Sequence, residues 1–388
     1  MKKIFAILLA LAMIFSLAAC GGSSKSGDTI YIGVYEPQTG DNGAGGKQEI
    51  LGMQYANSLT PTVTIGGKEY KVELVISDNE SSNDKAISAA TKLVSEGCSI
   101  VLGSYGSGVS MAAADTFAEA GIPAVGVSCT NALVTEGNDI YFRICFIDPD
   151  QGTIDANLIN SMGKKNVYVL SMLGEDYGTG LANNFVKAAG ELGISVTQDT
   201  FPEGNSDFAS YLNNAKNSGA EAIFAPCSIG YAQQIIAQAA SMGYDVPLVA
   251  GDTWDSGIIS DAAAQTGKAP QIYCSTFYAE GANAEFESGI KSWINGNQDN
   301  LKNNGGSDEL SAVTVLGYDA YYVALEAIKA AGSAKPADVL AALPGVNYTG
   351  VTGNIYFKEN GDADRHDAFI KTYDDASKSL VYYDLFSF

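Results

Sequence analysis

Hydrophobic positions along the chain alternate between short continuous runs and longer segments with a helical period. Residues 83–95 form the clearest helical segment, in which Ala86, Ile87 and Ala90 share one face with Leu93. The runs predict strands at residues 30–35, 71–77, 99–103, 123–128, 166–171, 194–200, 221–225 and 247–250. The periodic segments predict helices at residues 47–59, 83–95, 108–120, 178–192, 207–217, 231–241 and 312–330.

Strands that alternate with helices of this length predict βαβ units and parallel sheets. The pattern restarts at residue 166, and the roughly 360 residues of the body are too many for one typical core. We therefore expect an α/β protein of two lobes. Residues 295–308 are polar without a period and predict a surface insertion, whereas turn signals from Tyr348 onward predict a hairpin.

The N-terminus reads as a targeting segment. Two lysines precede an apolar run at residues 4–17, which is shorter than the ~20 residues that span a bilayer. Small residues and then Cys20 follow, and this arrangement resembles the bacterial lipobox. We expect a signal peptide at 1–19 and a lipidated Cys20 with a flexible tether at 20–27. The protein would then be extracytoplasmic and contact the membrane only through that lipid.

Composition excludes several classes of function. A net charge of −22 disfavours nucleic acid as a partner. The single histidine, His366, and the absence of clustered cysteines argue against a metal centre, and no cofactor is expected. A serine hydrolase would need His366 and a Gly-x-Ser-x-Gly motif that the chain lacks, so we predict no enzyme activity. Five widely spaced cysteines predict buried core residues: Cys98, Cys129, Cys145, Cys227 and Cys274.

Two turns in the first half carry hydrogen-bond donors. Residues 103–108 follow a strand and open a helix, so their N–H groups favour an anion, with the Ser107 hydroxyl as an extra donor. An ordinary helix cap explains the same turn equally well. A second such turn, residues 128–131 with Ser128 and Thr130, follows the next strand. Both turns should meet at the carboxyl edge of a parallel sheet, which favours a carboxylate site.

The second half supplies an acid. Asp252 follows the strand at 247–250, and an acid across a cleft from a carboxylate site suits a zwitterion. Tyr177 and Tyr231 also lie at strand-to-helix turns, although either could be an ordinary packing tyrosine. Trp254 could equally be part of the cleft wall or a core residue.

A series of short motifs extends over residues 28–388. They are Gln38-Thr39-Gly40, the run Glu73 to Asp78, Gly103-Ser104 with Ser107, Ile122-Pro123 before Ser128 and Thr130, Tyr141-Phe142-Arg143, Asp150-Gln151-Gly152, Asp176-Tyr177-Gly178, Gly230-Tyr231 and Gly251-Asp252. In this order and spacing they resemble the leucine/isoleucine/valine-binding periplasmic protein family, which has the type I solute-binding fold.

The resemblance implies two Rossmann-like lobes with parallel-sheet cores, joined by three crossovers near Asp148, Thr276 and Asp364. Lobe 1 would comprise residues 28–148 plus 277–364, and lobe 2 residues 149–276 plus 365–388. The family captures a small solute between its lobes and delivers it to the permease subunits of an ABC importer. Branched-chain amino acids are the leading cargo. Two alternatives remain. The importer could carry an amide, urea, purine or aromatic acid instead, or the protein could be a sensory ligand-binding domain.

The resemblance also assigns roles to site residues. The family binds the α-carboxylate through the hydroxyl that Ser107 matches and the turn that holds Ser128 and Thr130. It binds the ammonium with the acid that Asp252 matches, helped by the Tyr231 position, and Tyr177 matches a cleft aromatic. One departure is the glycine-rich first turn at 41–46, where relatives often carry a bulkier wall. Either the pocket is larger there or this turn does not contact ligand.

Overall fold

The computed structural model describes residues 27–388. Residues 1–26, with the predicted signal peptide, Cys20 and most of the tether, lie outside the described residues. The strands are β1 Thr29–Glu36, β2 Thr62–Ile65, β3 Lys68–Asp78, β4 Ile100–Leu102, β5 Ala124–Gly126, β6 Tyr141–Arg143, β7 Asn166–Met172, β8 Ser195–Phe201, β9 Ala222–Phe224, β10 Leu248–Ala250, β11 Ile272–Thr276, β12 Asn347–Gly350, β13 Gly353–Tyr356, β14 Asp367–Asp374 and β15 Ser379–Ser387.

The helices cover the faces of the sheets. They are α1 Gly43–Leu59, α2 Asn83–Ser95, α3 Ser107–Ala120, α4 Asp148–Ser161, α5 Asp176–Glu191, α6 Ala209–Asn217, α7 Ile229–Ser241, α8 Gly257–Gln265, α9 Ala284–Asn295, α10 Gln298–Asn303, α11 Ala312–Ala331 and α12 Pro336–Ala342.

Two mostly parallel sheets confirm the predicted α/β class. The first has the order β2-β3-β1-β4-β5-β6, and only β2 is antiparallel to its neighbour. The second has the order β15-β14-β11-β10-β9-β7-β8, in which β14 and β15 form the antiparallel edge. A separate hairpin of β12 and β13 confirms the predicted turn chemistry near Tyr348. The strand-to-helix turns of each sheet lie at its carboxyl edge, where ligands bind in such folds.

The chain passes between the two sheets three times. The first passage follows β6, after which β7 to β11 build the second sheet. The second follows β11 and leads to α9–α12, of which α11 packs against α1 beside the first sheet. The third follows the hairpin and leads to β14 of the second sheet. The predicted crossovers near Asp148, Thr276 and Asp364 fall in or beside these connections. The residue bounds of the two lobes stay a prediction.

The glycine-rich segment predicted as a turn is the first turn of α1, which begins at Gly43. Packing outweighs the low helix propensity of glycine here. A Cβ at Gly46 would lie 2.1 Å from the Pro37 carbonyl oxygen, and one at Gly52 would lie 1.9 Å from the Thr314 carbonyl oxygen of α11. Glycine therefore allows α1 to approach both the strand-end loop and α11.

One local prediction was wrong. Ile87, assigned to the apolar face of α2, is 57% exposed, whereas Ala86, Ala90 and Leu93 of that face are buried. The segment 295–308, predicted as a surface insertion, contains the short helix α10, which has no buried residue and is capped by the Asn297 side chain.

The five body cysteines are buried, as predicted. Within residues 27–388, no helix is long and apolar enough to cross a membrane. The same residues contain no group of three or more histidine, cysteine or acidic side chains that could hold a metal ion.

Candidate ligand-binding site

Ser107 links the two donor-rich turns of the first sheet. It is the first residue of α3 and is fully buried. Its Oγ accepts a hydrogen bond from the backbone N–H of Asn131 at 3.2 Å. Because a hydroxyl that accepts one hydrogen bond keeps its own hydrogen, Ser107 can still donate to an anion. The structure thus brings together the two turns that the sequence placed at one sheet edge.

Gly103 is required by a close approach of β1. Its φ is +114°, and a Cβ there would lie 2.2 Å from the Tyr35 carbonyl oxygen and 2.4 Å from Oε1 of Glu36. A side chain would therefore clash with both neighbours in a backbone conformation that favours glycine. Because Gly103 has no side chain, the end of β1 and the carboxyl group of Glu36 can pack directly against its backbone.

Arg143 fixes the second turn from behind. Its Nη1 donates to the carbonyl oxygens of Cys129 at 2.9 Å and Asn131 at 2.6 Å, and its Nε pairs with Asp362 at 2.6 Å. The guanidinium is fully buried, and its hydrogen bonds hold the shape of the turn. Thr130 is fully buried, and its hydroxyl interacts with the buried carboxyl group of Asp148.

Ser128 has a partner within the protein. Its hydroxyl donates a hydrogen bond to the carboxyl group of Glu49 on α1. The hydroxyl of this predicted ligand residue is therefore already engaged with another residue of the protein. Glu49 was not predicted from the sequence. Its one signal in the sequence is that it is the single acidic residue of α1.

Asp252 and Tyr177 meet at the carboxyl edge of the second sheet. Asp252 follows β10 and is buried, and its Oδ1 accepts from Nε2 of Gln151 at 3.0 Å and from the Tyr177 hydroxyl at 3.5 Å. Burial raises the pKa of Asp252 to about 7. No ion pair among the described residues involves this carboxyl group, so a bound cation would be its first charged partner.

Tyr231 contacts the first sheet's edge and not Asp252. Its hydroxyl donates to Oδ2 of Asp41 at 2.7 Å and accepts from the backbone N–H of Gly204 at 2.9 Å. The ring packs edge-on against Phe201. Tyr231 therefore joins the two sheet edges. Trp254 is fully buried in the core of the second sheet, which resolves its alternatives in favour of a core residue.

Two further hydrogen bonds join the facing edges. Nε2 of Gln48 donates to Oγ of Ser256 at 2.9 Å, and Nδ2 of Asn131 donates to the carbonyl oxygen of Asp176 at 2.8 Å. The donor turns of the first sheet and the acid of the second thus face each other in a closed arrangement.

Tyr105 lies where the first turn of α1 lacks side chains. A Cβ on Gly45 would lie 2.3 Å from Cε2 and Cζ of the Tyr105 ring. Tyr105 is buried, and the charges of Asp252 and Glu49 add to the effect of burial in raising its pKa. The glycine-rich segment therefore does not leave a void, because the aromatic ring of Tyr105, in the donor turn at 103–108, fills the space beside it.

Comparisons with known proteins agree with this geometry. Residues 29–378 match the periplasmic binding protein family. A Leu/Ile/Val-binding protein homolog 1 from Brucella suis biovar 1 is 30% identical over 374 residues, covering 93% of this chain and 94% of the relative.

Solved structures show the same architecture. A leucine-binding protein LivK from Thermotoga maritima has a TM-score of 0.80 at 29% identity, covering 92% of this chain and 99% of that chain. A branched-chain amino acid transporter substrate-binding protein LivJ from Streptococcus pneumoniae, in complex with isoleucine, has a TM-score of 0.78 at 26% identity, covering 92% and 100%. The chain described here belongs to the periplasmic binding protein family and is a solute-binding protein of the ABC-importer type.

Proposed function

We propose that this protein captures a zwitterionic α-amino acid between its two sheet edges, with a branched-chain amino acid as the leading candidate. The observation that carries the proposal is the buried, unpaired acid Asp252 opposite two turns of neutral donors. A ligand with an ammonium group would neutralise that acid, and its carboxylate would reach the donors. The same class of cargo is supported by the similarity to a Leu/Ile/Val-binding protein homolog, to a leucine-binding protein and to a substrate-binding protein in complex with isoleucine.

Each end of the ligand has assigned partners in this proposal. Ser107 and Thr130, with the backbone N–H groups of their turns, hold the carboxylate, and Arg143 keeps the second turn in place. Asp252 holds the ammonium, and Tyr177 and Gln151 orient its carboxyl group. Charge-assisted hydrogen bonds of this kind contribute roughly 1.5–3 kcal/mol each.

An amide, urea, purine or aromatic acid is the alternative cargo. Such a ligand offers no ammonium, and Asp252 would then stay buried without a charged partner. Burial of an unpaired carboxylate is costly, so that acid would have to remain protonated in the complex. The choice between these cargoes therefore depends on what Asp252 contacts.

The substitution Asp252→Asn tests the ammonium assignment. We expect it to weaken the binding of leucine by on the order of tenfold to a hundredfold. The des-amino analogue 4-methylpentanoate should be affected far less, because it lacks the charge that Asp252 pairs with. Isothermal titration calorimetry of wild type and variant with both ligands measures the difference.

The matched control is Ser107→Ala, which should weaken both ligands because both keep the carboxylate. An equal effect of Asp252→Asn on the two ligands, or no effect on either, would contradict the ammonium assignment. The cargo would then be an amide, a purine or a simple organic acid.

The predicted lipid anchor at Cys20 belongs to the same proposal. It would hold a solute-binding protein without enzyme activity at the outer face of the membrane, within reach of its permease. Mass spectrometry of the protein from native membranes should show a diacylglyceryl group at Cys20. A product cleaved elsewhere and released without lipid would contradict the anchor.

A further inference from the structure

Two buried glutamates lie behind the proposed carboxylate site. Glu36 ends β1 and Glu49 lies on α1, and neither side chain is exposed to solvent. The two carboxyl groups act on each other, and Oε1 of Glu36 and Oε2 of Glu49 are buried without a hydrogen-bond donor among the described residues. Two neighbouring carboxylates without solvent repel each other, and a proton on one of them would remove that repulsion.

Each glutamate also contacts one of the two donor turns. Oε2 of Glu36 accepts a hydrogen bond from the backbone N–H of Tyr105 at 2.7 Å, in the turn that leads to Ser107. Glu49 accepts the hydroxyl hydrogen of Ser128, in the turn that holds Thr130. The pair is therefore a continuous bridge from one turn to the other.

The surroundings offer the pair no positive charge. No ion pair among the described residues involves either glutamate. The titratable groups that act on them are themselves acidic or neutral: Tyr35, Tyr105, Cys129, Tyr141 and Asp252. Burial raises the pKa of Glu36 well above its ordinary value, and the negative charge of the neighbouring Glu49 adds to that rise.

We propose that Glu36 and Glu49 share one proton and that this pair holds the two ligand-binding turns in register. Both are positioning residues, because they act on the ligand through Tyr105, Ser107 and Ser128. The inference rests on the proposed function only for its binding readout. Loss of the shared proton would place two carboxylates in contact without solvent and separate the turns.

Glu36→Gln is the informative variant. Its amide can donate to Glu49 and accept from Tyr105 as the protonated acid does, so leucine affinity should stay within about threefold of wild type. Glu36→Ala removes the bridge and should weaken leucine by on the order of tenfold or more. Glu119→Gln, on the exposed face of α3, is the control for removal of one negative charge.

Infrared difference spectroscopy reads the proton directly and does not need a ligand. At pH 7 the wild type should show a protonated-carboxyl band that Glu36→Gln lacks and Glu119→Gln retains. The pair is refuted if that band is the same in all three proteins. It is also refuted if Glu36→Gln weakens leucine as much as Glu36→Ala. If the band is present but wild type binds no amino acid, the proposed cargo is wrong and the pair stands.

Discussion

The Tyr105 ring packs against the backbone of Gly45 on α1, in the space that a larger residue at position 45 would need. The Tyr105 ring lies where a Cβ on Gly45 would be, at 2.3 Å, and the ring is buried. An added methyl group cannot be accepted without movement of that ring, and overpacking of this kind costs about 1–3 kcal/mol. The two positions should therefore be energetically coupled.

The coupling can be measured in a double-mutant cycle. Gly45→Ala should lower the free energy of unfolding in wild type by about 1–3 kcal/mol. In a Tyr105→Ala background the same change should have little effect, because the ring is gone. Urea denaturation of the four proteins gives the interaction energy. Equal losses in both backgrounds would show that Tyr105 does not occupy the space beside Gly45.

At the scale of elements, the contact between α1 and α11 depends on two glycines. A Cβ on Gly52 would lie 1.9 Å from the Thr314 carbonyl oxygen, and a Cβ on Gly317 would lie 2.2 Å from the Glu49 carbonyl oxygen. Because backbone atoms cannot move aside as the end of a side chain can, the helices would have to separate. The position of Glu49, and with it Ser128, follows from this close packing.

Gly52→Ala should therefore destabilise the protein by roughly 2–3 kcal/mol or more, despite the higher helix propensity of alanine. Gly230→Ala on α7 is the matched control, since a Cβ there meets nothing within 4 Å. That control should be neutral or stabilise by up to about 1 kcal/mol. Chemical denaturation compares the two, and similar outcomes at both sites would exclude the tight helix contact.

At the scale of the whole molecule, hydrogen bonds across the cleft define a closed arrangement. Gln48 with Ser256, Asn131 with Asp176, and Asp41 with Tyr231 join elements of the two sheets. Three connections between the sheets form a hinge system, and a ligand that contacts both edges should favour closure.

Small-angle X-ray scattering should show a smaller radius of gyration with saturating leucine than without it. At a leucine concentration that just saturates wild type, Asp252→Asn is the control, because its weaker binding should leave a larger share of molecules open. An unchanged profile for wild type at confirmed saturation would show that closure does not depend on this ligand.

The sequence by itself determined the α/β class, the two sheets, and the grouping of Ser107 with the 128–131 turn. These follow from local periodicity and from the rule that strand ends of a parallel sheet share one edge. The family was predicted from a resemblance in the order and spacing of short motifs. Asp252 was singled out as a candidate because it lies just past a strand.

Only the tertiary structure decided where side chains from distant elements meet. Tyr231 extends to Asp41, 190 residues away, and Ser128 donates to Glu49, 79 residues away. The segment from Gly43 is helical although local propensity favours a turn, and Tyr105 and Pro37 leave no room for a Cβ at Gly45 and Gly46. Such contacts depend on how helices and strands pack, and a pattern within one segment does not contain that information.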